Sequence, residues 1–411
     1  MLIDSISFTK DYNPLRTPAR QREYCVNIYF PSFLNKYKIT LVMKRHIFHI
    51  LYNPFTSDSR VTKELITIER LYPQDNITLM CRFKTGLPTE EILGNRIKIL
   101  RLGPEDKKNS RLYKLINWLR WFLECSRFLF SKQFHVLHCH DLTGIPIGFF
   151  FKLIREFKLI YDSHEFQSEI HNVPNWRKPV TRFFEQIFIL SSDVVITVSH
   201  SIAHNYKYLF GIKIIQVLLN TPEKVDIGDS ERPDFFPANK KVLLFQGGLT
   251  PKRGIEKTIA AFKEAKLEDY CLVFMGNGPL ESFVRTQLSN NILLVPPVSM
   301  QKLPYISSHA FAGLLFYENT CLNHYFCMPN KLFEYINSEI PVIASNLYEL
   351  RDVVNSYKIG TILEEMNSAS LLQAIQLLET QASDQKNNLQ VAKSHFNWEN
   401  QVSILKNVYS T

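Results

Sequence analysis

Short apolar runs alternate with longer amphipathic stretches along most of this chain, and this alternation constrains the fold more than any other feature. Near-continuously apolar runs are typical of strands in parallel sheets that are buried on both faces. Several of the segments between them are long enough for helical crossovers. The first half of the chain therefore predicts a parallel sheet covered by helices. Its predicted strands are IFHIL (47–51), ITLMC (77–81), IKIL (97–100), FHVLHC (134–139), KLIY (158–161) and DVVITV (193–198).

The pattern restarts after a segment rich in proline and charge, NTPEKVDIGDSERPDFFPANK, so we predict a linker at 221–240. The sequence thus predicts an α/β protein with two units of similar size, 46–220 and 241–394, and a cleft between them. Residues 1–45 are interpreted as an N-terminal extension, because they show little periodicity. The strands predicted in the second unit are KVLLFQ (241–246), CLVFM (271–275), ILLV (292–295), AGLLF (312–316) and PVIA (341–344).

Composition narrows the classes of partner and compartment. A chain of 411 residues suits two hydrophobic cores, and its net charge of +9 suggests an anionic partner such as phosphate, lipid head groups or nucleic acid. The seven cysteines occur singly with no CxxC pair, which favours reduced thiols. No signal peptide or bilayer-spanning apolar run is evident. We therefore expect a cytoplasmic protein.

A glycine-rich loop follows the first predicted strand of the second unit. FQGGLTPKRGIE (245–256) passes through Gly247 and Gly248 and then enters a helix. Glycines let backbone N–H groups approach an anion, and a helix N-terminus adds a favourable dipole. Lys252 and Arg253 supply positive charge, and an arginine can bind two phosphate oxygens at once. The pattern indicates a phosphate site, although a solvent-exposed turn has the same composition.

A second motif, PNKLFEYINSEIPVIAS (329–345), predicts a short helix followed by a buried strand. Asn330 is a good helix-capping residue. Lys331 and Glu334 share one helical face, and a lysine in the first turn is unfavourable to the helix dipole unless an anion binds there. Glu334 could then accept hydrogen bonds from ribose hydroxyls. A nucleoside diphosphate sugar offers both groups, and a solvated Lys–Glu pair is the alternative.

Taken in order, FQGGLTPKRGIE, FMGNGPL (274–280) and PNKLFEYINSEIPVIAS resemble the nucleotide-sugar half of the glycosyltransferases of family four, in particular a subgroup that carries PNKLFEY. That family has the GT-B fold, in which two Rossmann-like parallel-sheet domains face a central cleft. The resemblance covers about residues 46–410. Its acceptor-side landmarks in the first unit are NPFTSDSRVTKELITIERL (53–71), HCHD (138–141), YDSHE (161–165) and VVITVSHS (194–201).

The resemblance implies a retaining hexosyltransferase-type enzyme that moves a sugar from a nucleoside diphosphate donor to an acceptor hydroxyl without an essential metal or other cofactor. It implies that Glu334 holds the donor ribose, that Arg253 and Lys331 face the diphosphate, and that His164 lies close to the transferred sugar. His164 and Glu334 are the implied catalytic residues. The implied donor-binding residues are Gly247, Gly248, Arg253, Gly276, Gly278, Asn330, Lys331 and Glu334. The implied acceptor-side candidates are Asp58, Arg60, His140 and Asp141.

Two further features follow from the resemblance. The helix at 395–411 is expected to close the fold by packing back on the first domain, with Trp398 as an anchor. Many members carry a second glutamate eight positions before Glu334, but Phe326 stands there in this chain. We do not interpret this change as inactivation, because the subgroup also lacks that glutamate.

Two other segments admit more than one interpretation. His138 and His140 would share one face of a strand beside Asp141, but no further ligand cluster of matching spacing follows, so we expect no metal site. The segment 107–134 mixes basic and aromatic residues. It is either a core helix with a solvated basic face or an amphipathic helix that attaches the protein peripherally to an anionic membrane.

The function predicted from the sequence is transfer of a sugar to a lipid- or saccharide-linked acceptor in surface polysaccharide biosynthesis. A sugar-nucleotide epimerase is an alternative that would need additional acid–base carboxylates in the cleft. A non-catalytic transferase-like subunit is another, because Phe326 replaces a glutamate. Nucleic-acid binding is not expected, since no recognisable module carries the positive charge.

Overall fold

The structure, a computed structural model, describes residues 44–105, 110–170, 173–212 and 214–410. The predicted extension at 1–45 therefore lies almost wholly outside the described residues, as do Lys107 and Lys108 of the predicted basic helix. No described helix combines the length and the apolar composition that crossing a membrane requires.

The first sheet contains eight strands in the order β3-β4-β2-β1-β5-β6-β7-β8. All neighbouring strands are parallel except β3 and β4, which form an antiparallel pair at one edge. The strands are β1 (His46–Leu51), β2 (Asn76–Arg82), β3 (Glu90–Leu93), β4 (Ile97–Leu102), β5 (Val136–His140), β6 (Lys158–Ser163), β7 (Val194–Thr197) and β8 (Ile215–Val217). The helices of this part are α1 (Ser59–Leu71), α2 (Arg111–Phe130), α3 (Asp141–Lys152), α4 (Arg177–Ser191) and α5 (His200–Phe210), with a 3₁₀ turn at Gln167–Glu169.

The second sheet contains six parallel strands in the order β11-β10-β9-β12-β13-β14. The strands are β9 (Lys241–Gln246), β10 (Tyr270–Met275), β11 (Ile292–Val295), β12 (Ala312–Leu315), β13 (Val342–Ser345) and β14 (Gly360–Leu363). The remaining helices are α6 (Ile255–Glu264), α7 (Glu281–Thr286), α8 (Leu303–Ser307), α9 (Leu322–Tyr325), α10 (Asn330–Asn337), α11 (Tyr348–Tyr357), α12 (Ser368–Thr380), α13 (Ala382–His395) and α14 (Trp398–Ser410).

The predicted α/β architecture with two parallel sheets is confirmed, and the difference lies at the sheet edges. The edge strand β3 has alternating exposed and half-buried residues and pairs antiparallel to β4. Glu90 and Glu91 interrupt its apolar pattern, so the sequence does not predict this strand. The sequence did not predict the edge strands β8 and β14 either, because each is short and mostly half-buried.

Apolar side chains of each sheet point alternately to two cores. Along β9, Val242 and Leu244 enter one core, whereas Leu243 and Phe245 enter the other. Because helices cover both faces, the central strands are mostly buried, which explains their continuous hydrophobicity.

The last helix, α14, packs against the first sheet rather than the second. Trp398 and Tyr409 share a core with Ile47 of β1 and Leu65 of α1. The indole Nε1 of Trp398 donates a hydrogen bond to Thr67 Oγ1 at 2.8 Å. The chain therefore crosses between its two halves twice, once before β9 and once before α14.

Candidate functional site

A cavity of about 760 Å³ lies between the two sheets. It opens at the carboxyl ends of β1, β6 and β9. The strand order reverses at β1 in the first sheet, where β1 lies between β2 and β5. It reverses at β9 in the second sheet, where β9 lies between β10 and β12. Such switch points are where open parallel sheets bind ligands. The sequence-predicted residues on its wall are Asp58, Arg60, His164, Gly247, Gly248, Arg253, Asn330, Lys331 and Glu334.

Lys331 lies across the backbone of the glycine loop. Gly247 has φ +97°, and a Cβ built on it would come within 2.7 Å of Lys331 Cε. The ammonium lies 4.2 Å from the centre of the Phe245 ring. Burial lowers the pKa of Lys331, the nearby charge of Arg253 lowers it further and Glu334 opposes both, which leaves the pKa at about 7. Lys331 is therefore a buried cation that would gain from an anionic partner in the cavity.

The helix that carries Lys331 presents its first turn to the cavity. Pro329, rather than Asn330, precedes the first helical residue, and within the described residues no side chain caps this end. The expectation that Asn330 caps α10 is therefore wrong, because it is already the first residue of the helix. Pro329, Asn330 and Lys331 all line the cavity. An uncapped helix start that faces a cavity can bind an anion through its free N–H groups.

Glu334 is held by a glutamine that the sequence analysis did not single out. Gln246 Nε2 donates a hydrogen bond to Glu334 Oε2 at 2.6 Å, and Gln246 Oε1 accepts one from Ser307 Oγ at 2.8 Å. Burial raises the pKa of Glu334, although the Gln246 hydrogen bond and the Lys331 charge oppose this. Gln246 thus fixes one carboxylate oxygen, and no hydrogen bond from the described part of the chain reaches the other. Its only sequence signal is its place at the end of β9.

Arg253 reaches the cavity over an aromatic ring. Its guanidinium carbon lies 4.2 Å from the centre of the Tyr317 ring, and within the described residues no carboxylate forms an ion pair with it. The neighbouring Lys252 instead pairs with Glu318 at 3.2 Å. Of the two cations in the loop, Arg253 is therefore the one that the structure directs to the cavity.

Gly276 and Gly278 lie behind the glycine loop and are absent from the cavity wall. A Cβ on Gly276 would overlap the carbonyl oxygen of Gly247, and one on Gly278 would come within 2.5 Å of Leu249 O. The loops are joined by Gly247 N donating to Met275 O and Leu249 N donating to Asn277 O, each at 2.8 Å. These two glycines therefore support the loop that faces the cavity.

On the opposite wall, two carboxylates surround His164. Its Nε2 lies 3.0 Å from Asp162 Oδ2, its backbone N–H donates to Asp141 Oδ1 at 3.0 Å, and its Nδ1 lies 3.5 Å from Asp141 Oδ2. Burial alone would lower the pKa of His164, but the charges of Asp141 and Asp162 outweigh it and raise the pKa to about 10. His164 is therefore protonated at neutral pH, so it can donate hydrogen bonds but cannot accept a proton.

A buried polar network continues behind His164. Its Nε2 lies 3.2 Å from His140 Nδ1, and His140 Nε2 lies 3.1 Å from His49 Nδ1. The hydroxyl of Tyr409 lies 3.1 Å from His49 Nε2 and 2.6 Å from His138 Nδ1. Burial lowers the pKa of all three of these histidines. This network of neutral imidazoles thus connects the cavity wall with α14.

Four side chains of this network could geometrically hold a metal ion. Ligand atoms of Glu64, His138, His140 and Asp162 lie within 4.8 Å of one another. Arg60 already binds both carboxylates, at 2.8 Å from Asp162 and 3.0 Å from Glu64, and the protonated His164 is a second cation. A metal ion there would be repelled by both positive charges, so these four side chains do not favour metal binding.

The acceptor-side candidates divide into two groups. Asp58 and Arg60 line the cavity, where Asp58 Oδ1 caps α1 by accepting from Val61 N at 3.1 Å. His140 and Asp141 lie outside the wall and contact His164 instead. His140 and Asp141 therefore position His164 and do not face the cavity themselves.

Phe326 does not line the cavity. Its ring lies 5.2 Å from the ring centre of Tyr325 and 6.1 Å from that of Tyr348, and it packs against the core of the first sheet. Nearby, Asn323 Oδ1 accepts a hydrogen bond from Phe166 N at 2.7 Å across the cleft. The position of the missing glutamate is therefore part of a contact between the two halves.

Comparisons with known proteins bear on the family and the fold. Residues 227–394 match the family model described as Glycosyl transferases group 1, so the second half of the chain is similar to that family. None of the curated proteins matches the sequence.

Solved structures resemble the chain along most of its length. Sucrose-phosphate synthase from Thermosynechococcus elongatus has a TM-score of 0.71 at 14% identity, covering 89% of this chain and 98% of its own. The Anabaena protein Alr3699/HepE in complex with UDP-glucose has a TM-score of 0.62 at 13% identity, covering 89% and 99%. WaaG, a glycosyltransferase involved in lipopolysaccharide biosynthesis, has a TM-score of 0.61 at 10% identity, covering 89% and 100%. The predicted GT-B fold is confirmed.

Proposed function

We propose that this protein is a retaining glycosyltransferase of family four that transfers a hexosyl group from a nucleoside diphosphate sugar to a hydroxyl of a lipid- or saccharide-linked acceptor. The observation that carries the proposal is that Gly247, Arg253, Lys331 and Glu334 meet on one wall of the cavity. The glycosyltransferase group 1 match over the same half of the chain supports it.

The donor diphosphate would bind between the glycine loop and the start of α10. Arg253 and Lys331 would balance its charge, and the uncapped N–H groups of α10 would add hydrogen bonds. As the bond between sugar and diphosphate breaks, negative charge grows on the leaving phosphate. Fixed cations in a buried site stabilise that charge more in the transition state than in the ground state. No metal is needed for this role, because the chain itself supplies the positive charge.

Glu334 would hold the ribose through the carboxylate oxygen that Gln246 leaves available. His164, on the opposite wall, would donate a hydrogen bond to the transferred sugar. Its high pKa supports the role of a hydrogen-bond donor rather than that of a general base. The acceptor would approach from the side of Asp58, on the part of the wall contributed by the first sheet.

A cytoplasmic role in surface polysaccharide biosynthesis is part of the proposal. WaaG, which resembles this chain in fold, is involved in lipopolysaccharide biosynthesis, and this supports the pathway class. The non-catalytic alternative is weakened, because Phe326 packs between the two halves and does not occupy the cavity. A sugar-nucleotide epimerase would also bind the donor, so only product analysis separates it from a transferase.

The experiment is a thermal-shift screen of nucleoside diphosphate sugars on the full chain, followed by product analysis with the best donor. We expect one donor class to stabilise the protein, and Glu334→Gln to weaken its binding by about 1.5–3 kcal/mol, the usual contribution of a hydrogen bond to a charged group. Glu264→Gln, at the exposed end of α6, is the matched control. Transfer of the sugar with the donor's anomeric configuration supports the proposal. Failure of every nucleotide sugar to bind, or epimerised donor as the product, contradicts it.

A further inference from the structure

Helix α2 has two apolar faces, and the residues that the structure describes cover one of them. One face is buried against the first sheet through Trp121, Cys125 and Leu129. The opposite face is exposed, and its residues recur every three or four positions, as on one side of a helix. They are Leu112, Ile116, Leu119 and Leu123, with exposed fractions of 67%, 42%, 45% and 63%.

Helix α4 repeats this arrangement beside it. Glu185 and Ile189 face inward. The outward residues again recur at helical spacing, beginning with Trp176 just before the helix. They are Trp176, Val180, Phe183 and Phe184, with exposed fractions of 73%, 51%, 59% and 48%. Two neighbouring helices thus present apolar stripes to the outside.

An apolar groove of about 430 Å³ runs between the two stripes. Its floor comes from α3 through Phe149 and Phe150, and its sides come from Phe122 of α2 and Phe188 of α4. Large exposed apolar patches on soluble proteins mark interaction sites. We call the exposed surface of α2, α3 and α4, with this groove, the aromatic face.

Positive charge borders the aromatic face. On α2 the exposed charged residues are Arg111, Lys114, Glu124, Arg120 and Arg127, and Arg177 begins α4. Contact between two copies of this face would bring these like charges together. An anionic surface would instead be attracted to them.

We propose that the aromatic face docks the protein on an anionic phospholipid bilayer, with the apolar side chains of α2 and α4 in the interface and a lipid hydrocarbon chain in the groove. The attachment predicted at 107–134 covered α2 alone, and the structure adds α4 and the groove. The inference extends the proposed function and rests on it, because a lipid-linked acceptor gives the protein a reason to bind a membrane. As a surface property it can be tested by itself.

Contacts also connect this face with the cavity. Glu169, in the 3₁₀ turn after His164, accepts from Lys178 Nζ of α4 at 2.9 Å and pairs with Arg182 of the same helix. Just before it, Phe166 meets Asn323 at the edge of the cavity. A protein docked through α4 would therefore hold its cavity close to the bilayer, where the head group of a lipid-linked acceptor lies.

The test is cosedimentation of the full chain with vesicles of phosphatidylcholine alone or mixed equally with phosphatidylglycerol. We expect binding to the anionic vesicles only, and weaker binding at high salt. Val180→Glu combined with Phe183→Glu should lower the partition coefficient at least about tenfold. Arg120→Gln combined with Arg127→Gln should lower it about fivefold for each charge removed. The matched control is Val391→Glu on α13, whose valine is 52% exposed against 51% for Val180.

Several results would overturn the inference. One is equal vesicle binding by the wild type and the Val180→Glu/Phe183→Glu variant. Another is a wild-type dimer in sedimentation equilibrium that this variant converts to a monomer, because a second copy would then be the occupant. Thermal shift with the nucleotide sugar, measured without vesicles, serves as a separate readout. If the donor still binds while vesicles do not, the docking inference fails and the proposed function stands.

Discussion

Lys331 crosses directly over Gly247, so that any side chain at the glycine would meet the lysine at 2.7 Å from its Cε. The two residues are far apart in sequence: Gly247 lies in the loop after β9, and Lys331 lies in the first turn of α10. Their contact directs a buried ammonium toward the cavity. It also predicts how substitution at each position will behave.

Gly247→Ala is expected to destabilise the protein by about 1–3 kcal/mol, because alanine is strained at φ +97° and its methyl group would displace Lys331. Donor binding should weaken with it, since the ammonium moves. Gly248→Ala is the control for folding: its nearest neighbour would be Thr250 Cγ2 at 3.7 Å, so we expect stability to change by less than about 0.5 kcal/mol. Urea titrations measure both. Equal stability of the two variants would contradict the close approach at Gly247.

Donor affinity is expected to fall as pH rises above 7. Lys331 has a pKa of about 7 without ligand, and a bound diphosphate requires its charged form. Below pH 7 the lysine is already charged and affinity should be flat. Above it, binding must first take up a proton, so the dissociation constant should rise by up to about tenfold per pH unit. Calorimetry with a nucleotide sugar between pH 6 and 9 measures this.

Lys331→Arg is the control for the pH effect, because arginine stays protonated throughout this range. Its affinity should be independent of pH. A wild-type profile that is equally flat would show that Lys331 keeps its proton or does not face the diphosphate.

His164 should stabilise the folded state most at low pH. Its folded pKa of about 10 lies above the ordinary value of 6.5. Its contribution is therefore fully present below pH 6.5 and is lost as pH rises toward 10. The difference in free energy of unfolding between the wild type and His164→Gln should shrink across this window, by at most about 1.4 kcal/mol per pH unit. The exposed His204→Gln serves as control, and a constant difference for His164→Gln would refute the charged state.

Restoring a glutamate at position 326 should not improve catalysis. Phe326 packs against Tyr325, Tyr348 and the core of the first sheet, so Phe326→Glu would bury a charge between the two halves. We expect lower thermal stability and lower transfer activity, whereas Phe326→Leu should retain most of both. Higher activity in Phe326→Glu would mean that this position reaches the donor sugar.

Trp398→Ala should destabilise the first domain by about 3–5 kcal/mol, the usual cost of removing a large buried aromatic side chain. Trp398 is 3% exposed, donates to Thr67 and lies 4.7 Å from the ammonium of Lys63. Val391→Ala, on the exposed side of α13, is the control and should have little effect. Amide hydrogen exchange in the variant should become faster in β1 and α1. Faster exchange in α13 alone would contradict this packing.

The sequence predicts those parts of the fold and site that depend on local pattern. The central strands were found because they are continuously apolar, and Gly247, Lys331 and Glu334 because each belongs to a short motif with its own chemistry. The mixed edge strand β3 was missed, because edge strands lack that pattern. Motif order also carried the GT-B assignment, which no single segment could support.

Contacts between distant segments could not be predicted in this way. Arg60 binds Asp162 across 102 positions, and Gln246 holds Glu334 across 88. Asp162 and Gln246 stand within the motifs YDSHE and FQGGLTPKRGIE, but neither motif indicates a partner so distant in the sequence. Likewise, the sequence left a non-catalytic subunit open as an alternative because of Phe326, and it could not show that this residue packs against the core of the first sheet.

The position of α14 has a consequence for biosynthesis. Because Trp398, Leu405 and Tyr409 complete a core that begins at Ile47, the half of the protein that leaves the ribosome first cannot finish folding until the final helix has emerged. The later half has all its strands between 241 and 363 and can form in the interval. Translation that stops short of α14 would therefore release a chain whose N-terminal sheet has an uncovered apolar face, which is a substrate for chaperones and proteases.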